Sequence, residues 1–184
     1  MNEFLDHLAA RASEEGLLDV AYATLDTPLG EAAVAATPRG LVRVALPNEG
    51  VDGMLSRIAD DLSPRILEYP ARLDEARREL EEYFEGRRDR FELPLDWRLS
   101  HPGFYRRVLR ATSRVPFGEV ITYGDAAARA GNPRAFRAAG TALGSNPLPI
   151  VVPCHRVIRA GGDVGNYGGG PEMKRFLLRL EGAL

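Results

Sequence analysis

Thr122-Tyr123-Gly124-Asp125-Ala126-Ala127-Ala128-Arg129-Ala130-Gly131-Asn132-Pro133-Arg134-Ala135-Phe136-Arg137-Ala138-Ala139-Gly140-Thr141-Ala142-Leu143-Gly144 reads as two helices joined by a tight turn. Thr122 and Asp125 fit a capping box, with a hydroxyl at the cap and an acid three residues on. Gly131 stops the first helix. Asn132 can then cap a second helix whose first position is Pro133, where a missing N–H costs nothing. A two-residue turn between helices is helix-turn-helix spacing, and the second helix carries Arg134 and Arg137. Many helix pairs never touch DNA, so the pattern alone leaves a plain packing motif and a DNA reader both open.

The charge distribution favours DNA. Residues 1–100 hold 12 Arg and no Lys against 21 Asp and Glu, a net of −9, whereas residues 101–184 hold 12 Arg and Lys against 5, a net of +7. A basic half beside an acidic half hints at nucleic-acid contact by the basic one.

Outward from this motif, Gly103–Arg114 reads as a basic helix with Phe104, Val108 and Leu109 inward, closed by Pro116-Phe117-Gly118. The last helix, Glu172–Glu181, places Met173, Leu177, Leu180 and Leu184 on one stripe, with Glu181 at its edge. The earlier half has another character. A short helix over residues 2–15 carries Phe4, Leu5, Leu8 and Ala12 on one stripe. Val20–Leu25, Ala32–Ala36 and Leu41–Leu46 are short extended runs separated by Pro-Leu-Gly and Pro-Arg-Gly turns, which predicts an antiparallel meander. Residues 51–62 and 71–85 follow as helices, the second with Leu73, Ala76, Leu80 and Phe84 inward. Phe91–Trp97 reads as extended. The expected architecture is α/β (α+β), with a small unit over residues 1–98 around an antiparallel sheet and a mostly helical unit over residues 99–184.

At 184 residues and 45% hydrophobic, the chain can bury one good core or two small ones. No stretch approaches the roughly 20 apolar residues of a membrane span, and the acidic, amphipathic N-terminus fits neither a signal nor a transit peptide. The reading is a cytoplasmic protein. The Gly-rich run Gly161–Gly170 lacks both a phosphate-loop pattern and a dinucleotide fingerprint.

A single cysteine excludes an internal disulfide and any zinc site built from cysteine pairs, and His7, His101 and His155 are scattered. No metal and no cofactor are expected. By default a lone cysteine is a small buried apolar residue. The context of Cys154 argues otherwise: Ile150-Val151-Val152-Pro153-Cys154-His155-Arg156-Val157-Ile158 sets a polar triplet between two apolar runs. Cysteine, histidine and arginine side by side make the electropositive setting that lowers a thiol pKa. In an extended segment, however, consecutive side chains point to opposite faces. Either the chain bends at Pro153 or a water bridges thiol and imidazole. A general base also needs an orienting partner. Glu181 can hold the imidazole, or it can be a solvated terminal glutamate.

Pro153-Cys154-His155-Arg156-Val157-Ile158 closely resembles the active-site signature of the O6-alkylguanine-DNA alkyltransferases. Phe117–Tyr123, Gly131–Ala138, Asn146–Ile150 and Val164–Gly170 resemble the same family, in order, so the likeness covers roughly residues 103–182. In the first half it is looser, chiefly in Asp26-Thr27-Pro28-Leu29-Gly30 and Glu82-Tyr83-Phe84-Glu85-Gly86. The resemblance implies a ribonuclease H-like first domain, a winged helix-turn-helix second domain, and irreversible single-turnover transfer of an alkyl group from O6-alkylguanine, with O4-alkylthymine as a further substrate.

The resemblance also implies roles. Cys154 would accept the alkyl group. His155, acting through a water and oriented by Glu181, would take the thiol proton. Asn146 would brace the active-site turn. Tyr123 would hydrogen-bond the base and return a proton to the leaving guanine. Arg137 would enter the duplex in place of the extruded nucleotide, from a helix lying in the minor groove. Arg134, Asn132, Thr122, Ala138 and Arg156 would contribute to the DNA face, and Val157, Ile158, Tyr167, Gly168 and Pro149 to the base pocket. The partner would be double-stranded DNA, met by a monomer associated with the nucleoid. Some relatives hold a structural zinc in the first domain, which one cysteine cannot supply here. Some carry serine where this chain has Gly168, and residues 1–17 look like an extra segment.

Three other readings compete. A non-reactive lesion binder of the same fold would replace the cysteine, which is present. A Cys-His hydrolase would need an oxyanion hole and many turnovers. A winged-helix regulator gives no reason for Pro153-Cys154-His155-Arg156.

Overall fold

The computed structural model describes residues 2–184. It divides into two compact units: the chain up to Glu85 with Glu92–Leu99, and Gly86–Phe91 with Ser100–Leu184.

In the first unit, β1 (Val20–Thr27), β2 (Gly30–Thr37) and β3 (Gly40–Ala45) form the antiparallel meander. A fourth strand, β4 (Ile66–Glu68), pairs parallel to β1, giving the order β3-β2-β1-β4. Sequence reading misses β4 because three residues are too few to show a period of two. Ala21, Ala23, Ala33 and Ala35 give the sheet small buried side chains. Helix α2 (Gly50–Asp61) buries Met54 and Ile58 in the same core cluster as Val20 and Val42.

Helix α3 spans Asp74–Phe84 after a 3₁₀ turn over Pro70–Leu73. It buries Ala76, Leu80 and Tyr83, so Tyr83 takes the innermost place expected of Phe84, which is half-buried. Helix α1 (Asn2–Glu14) also departs from expectation. Phe4 and Leu8 are exposed and Ala12 half-buried, and the helix turns Ala9 inward instead; the Leu5 side chain lies outside the described residues.

Phe91–Trp97 is not a strand. It touches β3 through one parallel bridge, Leu41 to Leu95. Leu41 N–H donates to the Pro94 carbonyl and Asp96 N–H to the Leu41 carbonyl, each at 2.8 Å. Proline at 94 has no N–H to extend the ladder. The approach is so close that a Cβ on Gly40, whose φ is 132°, would lie 2.2 Å from the Pro94 oxygen.

The second unit packs α4 (Phe104–Thr112), α5 (Tyr123–Arg129) and α6 (Phe136–Gly144) through Val108, Leu109, Ala126, Ala127, Ala139 and Ala142. Two short parallel strands, β5 (Ile121–Thr122) and β6 (Val157–Ile158), tie the start of α5 to the segment after Cys154. The capping box forms: Asp125 N–H donates to Thr122 Oγ1 at 3.1 Å, and Thr122 N–H donates to Asp125 Oδ2 at 2.9 Å.

The connection between α5 and α6 is longer than the two residues expected. Gly131, at φ 89°, follows the end of α5; its N–H donates to the Ala128 carbonyl at 2.9 Å and that of Asn132 to the Ala127 carbonyl at 3.0 Å. This is the paired closure of a Schellman motif. Asn132 therefore finishes α5 instead of capping α6. The Asn132 carbonyl next accepts from Ala135 N–H at 3.0 Å in a further turn, and α6 begins at Phe136. Arg134 thus lies on the connection, while Arg137 lies on the helix.

The last helix, α7, spans Pro171–Leu180 and buries Lys174, Leu177 and Leu178. Met173 and Leu180 are half-buried and Leu184 is exposed, so the buried stripe is displaced from the expected one. Gly182, at φ 70°, closes α7 with a second Schellman pair: its N–H reaches the Arg179 carbonyl and that of Ala183 the Leu178 carbonyl. That closure fixes the direction of Glu181. Among the described residues, no helix is long and apolar enough to cross a membrane.

Candidate active site

The turn that carries Cys154 is built by two tight hydrogen-bonded bends. Val151 N–H donates to the Pro149 carbonyl at 2.9 Å around Ile150, whose φ is 72°. A β-branched residue there is a genuine outlier, worth on the order of 1–3 kcal/mol of strain that the surroundings must hold. Cys154 N–H then donates to the Val152 carbonyl at 2.8 Å around Pro153, at φ −79° and ψ 66°. Those angles are an inverse γ-turn. Of the two possibilities left open by the sequence, the bend is present: Cys154–Arg156 is a 3₁₀ turn, not a strand.

Asn146 locks this turn. Its Nδ2 donates to the Val152 carbonyl at 2.8 Å and to Cys154 Sγ at 3.2 Å, and its Oδ1 accepts from Leu148 N–H at 3.0 Å. The amide satisfies the strained backbone and holds the sulfur with the same group.

His155 is fully buried, and its Nε2 lies 2.7 Å from Glu181 Oε1. A neutral imidazole that donates from Nε2 keeps its lone pair on Nδ1. Nδ1 meets no hydrogen-bond partner among the described residues. Burial holds His155 below its ordinary pKa against the opposing pull of Glu181. The imidazole is therefore an uncharged base with its acceptor set by a carboxylate.

Arg156 corrects one expectation. It does not contribute to a DNA face: it is 5% exposed, and its Nε and Nη2 donate to Glu181 at 2.8 and 3.0 Å. Its Nη1 donates to the Val115 carbonyl, and its guanidinium lies over the Phe117 ring. The reason is Glu181, a buried carboxylate that needs a compensating cation. The same fact overturns the expectation of a depressed thiol. Arg156 is committed to Glu181 and His155 is neutral, so burial pushes the Cys154 thiol up from 9.0, opposed by the Asn146 hydrogen bond and by Lys174.

A cleft of about 750 Å³ opens on Cys154, with Tyr123, Arg137, Tyr167 and Gly168 in its walls. Burial raises the Tyr123 pKa, so the phenol keeps its proton at neutral pH. A Cβ on Gly165, at φ 72°, would lie 3.0 Å from Tyr123 Oη. Val157, Ile158 and Pro149 do not line this cleft; Val157 and Pro149 are buried and Ile158 pairs with Thr122. Thr122 and Ala138 are half-buried, and Asn132 and Arg134 are exposed on the connection.

Sequence reasoning missed Lys174. It is fully buried, donates to the Val157 carbonyl at 2.6 Å and lies over the Tyr123 ring at 5.9 Å. Burial lowers its pKa to about 8. The signal was present: residues 174, 177, 178 and 181 share one helical face, so a lysine there faces inward with Glu181.

The chain matches the profile of the 6-O-methylguanine DNA methyltransferase ribonuclease-like domain over residues 20–97, and of the DNA-binding domain of the same enzymes over residues 103–183. It is 39% identical to a Bacillus subtilis methylated-DNA–protein-cysteine methyltransferase over 87% of this chain and 94% of that one. The human methylated-DNA–protein-cysteine methyltransferase is also 39% identical, over 86% of this chain and 79% of that one. A crystal structure of Mycobacterium tuberculosis O6-methylguanine methyltransferase superposes with a TM-score of 0.76 at 36% identity, covering 89% of this chain and 93% of that one. A second crystal structure from that organism, in complex with DNA, gives 0.77 at 35% identity with the same coverage. By both of its domains, this chain belongs to the 6-O-methylguanine DNA methyltransferase family.

Proposed function

We propose that this protein repairs DNA by direct reversal, moving the alkyl group of O6-alkylguanine irreversibly onto Cys154 and being consumed in the act. The carrying observation is Cys154, held by Asn146 in the wall of an open cleft and followed in the chain by the buried His155–Glu181 pair. DNA as partner is supported by the family and by the complex of the Mycobacterium tuberculosis relative with DNA, and the flipping of a stacked base makes that DNA double-stranded.

The chemistry divides among the residues as follows. The O6 substituent is buried in the base stack, so the nucleotide must be flipped, at a cost of a few kcal/mol that is least for a badly paired base. Arg137, at the start of α6 and in the cleft wall, fills the vacated place. Because burial raises the thiol pKa, Cys154 needs a base. The proton passes to His155 Nδ1 through a bridging water, while Glu181 holds the imidazole and stabilises the cation formed. The thiolate attacks the alkyl carbon: an S–C bond forms, the C–O6 bond breaks, and its electron pair passes to guanine. Tyr123 returns a proton to the base. A thioether has no easy reverse, so each chain acts once. Its location, the cytoplasm in association with the nucleoid, rests on the substrate being DNA.

The test is a duplex carrying one O6-methylguanine. Restored guanine should reach one equivalent per chain and then stop, and Cys154→Ser should restore none while still binding the duplex. Continued turnover beyond one equivalent would contradict this function.

A further inference from the structure

Phe136 occupies the first position of α6, one residue before Arg137. The helix buries its other face, Ala139, Ala142 and Leu143, against its own unit. Phe136 is 49% exposed, a large apolar ring left in water where the helix core has no use for it. It lines the same cleft as Cys154, Tyr123 and Arg137. The Arg137 guanidinium lies 5.6 Å from the centre of its ring, within cation–π range. A flat aromatic and a flat cation thus stand side by side at the mouth of the cleft.

We propose that Phe136 is an aromatic wedge that works with Arg137, stacking on the base pair bordering the vacated position while the arginine fills the gap; this rests on the base-flipping function above. Extrusion of a nucleotide strips the neighbouring pair of one stacking partner. An arginine can satisfy the orphaned base with hydrogen bonds but covers only part of that face. A phenyl ring supplies the missing π-surface, as apolar wedges do at kinked or unstacked steps. Aromatic stacking is worth enough per base to change affinity by roughly 10- to 100-fold. Every base has a π-face, so the wedge adds hold without sequence preference. It acts on the duplex alone, because a free base has no neighbouring pair.

The experiment compares wild type with Phe136→Ala, Phe136→Leu and Phe136→Trp. Each is given a duplex containing O6-methylguanine next to the fluorescent base 2-aminopurine, and separately free O6-benzylguanine. The proposal expects Phe136→Ala and Phe136→Leu to lose roughly 10- to 100-fold in duplex affinity and transfer rate. Both should keep the wild-type rate on the free base, and Phe136→Trp should restore duplex activity. Unchanged duplex binding in Phe136→Ala, equal loss on both substrates, or full rescue by leucine would overturn it. Should the wild type restore no guanine at all, the repair function fails. Duplex affinity of the Phe136→Ala and Phe136→Leu variants then decides the wedge on its own.

Discussion

His155 Nε2 and Glu181 Oε1 lie 2.7 Å apart inside the protein, and the same carboxylate takes two hydrogen bonds from Arg156. One acid therefore serves a base and a structural cation together. Glu181→Gln should remove the charge that both rely on. Breaking a buried ion pair from one side costs about 3–5 kcal/mol, so urea denaturation should show a loss of that order. Loss of base orientation should slow transfer by about 100-fold or more. Glu181 raises the His155 pKa and burial lowers it, with burial prevailing. The acid limb of the wild-type rate should therefore lie below pH 6.5, and in Glu181→Gln lower still. Stability carries the matching sign: below that pH the unfolded chain takes up a proton that folded His155 refuses, so stability falls as pH drops.

Lys174 predicts a slope of the same sign at alkaline pH. Its folded pKa of about 8 lies under the ordinary 10.5, so between those values the unfolded chain holds a proton that the folded one has released. Stability of the wild type relative to Lys174→Met should be flat below pH 8 and rise from there to pH 10.5. Denaturation curves across that range check it, and a flat difference throughout would count against a burial-lowered lysine.

Gly165 holds the wall behind Tyr123. Alanine there is strained by the positive φ of 72° and brings a Cβ to 3.0 Å from Tyr123 Oη. Gly165→Ala should lose about 1–2 kcal/mol of stability and should slow transfer from both duplex and free base. Gly161→Ala, where an added Cβ meets nothing within 4 Å, should change neither.

Arg137→Ala separates extrusion from chemistry. The side chain sits on α6 at the cleft and takes no part in the hydrogen bonds that hold Cys154. Transfer from duplex DNA should fall much more than transfer from the free base. Equal slowing on both would remove the arginine from the flipping step.

Most of the fold could be read from periodicity and punctuation. The meander is visible because a glycine turn separates each pair of neighbouring strands, and the α5 cap because Thr122 and Asp125 have the spacing that a box requires. What failed were competitions between two uses of one residue. Asn132 is as good after a helix as before one, and only the Schellman closure by Gly131 decides. Arg156 looks like a DNA contact until the fold brings Glu181, 25 residues away, against it. The thiol is raised instead of lowered for the same reason: Arg156, its neighbour in sequence, is neutralised by Glu181, and burial prevails. Val157, expected in the base pocket, is buried instead because β6 pairs it with Ile121 of β5, and Pro149 is buried in the turn that precedes Cys154. Burial of Lys174 was legible from the spacing of Leu177, Leu178 and Glu181.

One sulfur, held by Asn146 and deprotonated through His155, is proposed to receive the alkyl group. Intact-mass spectrometry after incubation with an O6-methylguanine duplex tests it most directly, followed by peptide mapping. The account predicts a gain of one methyl per chain, located on the peptide containing Cys154. An unchanged mass while guanine is restored, or a methyl group on any other residue, would contradict it.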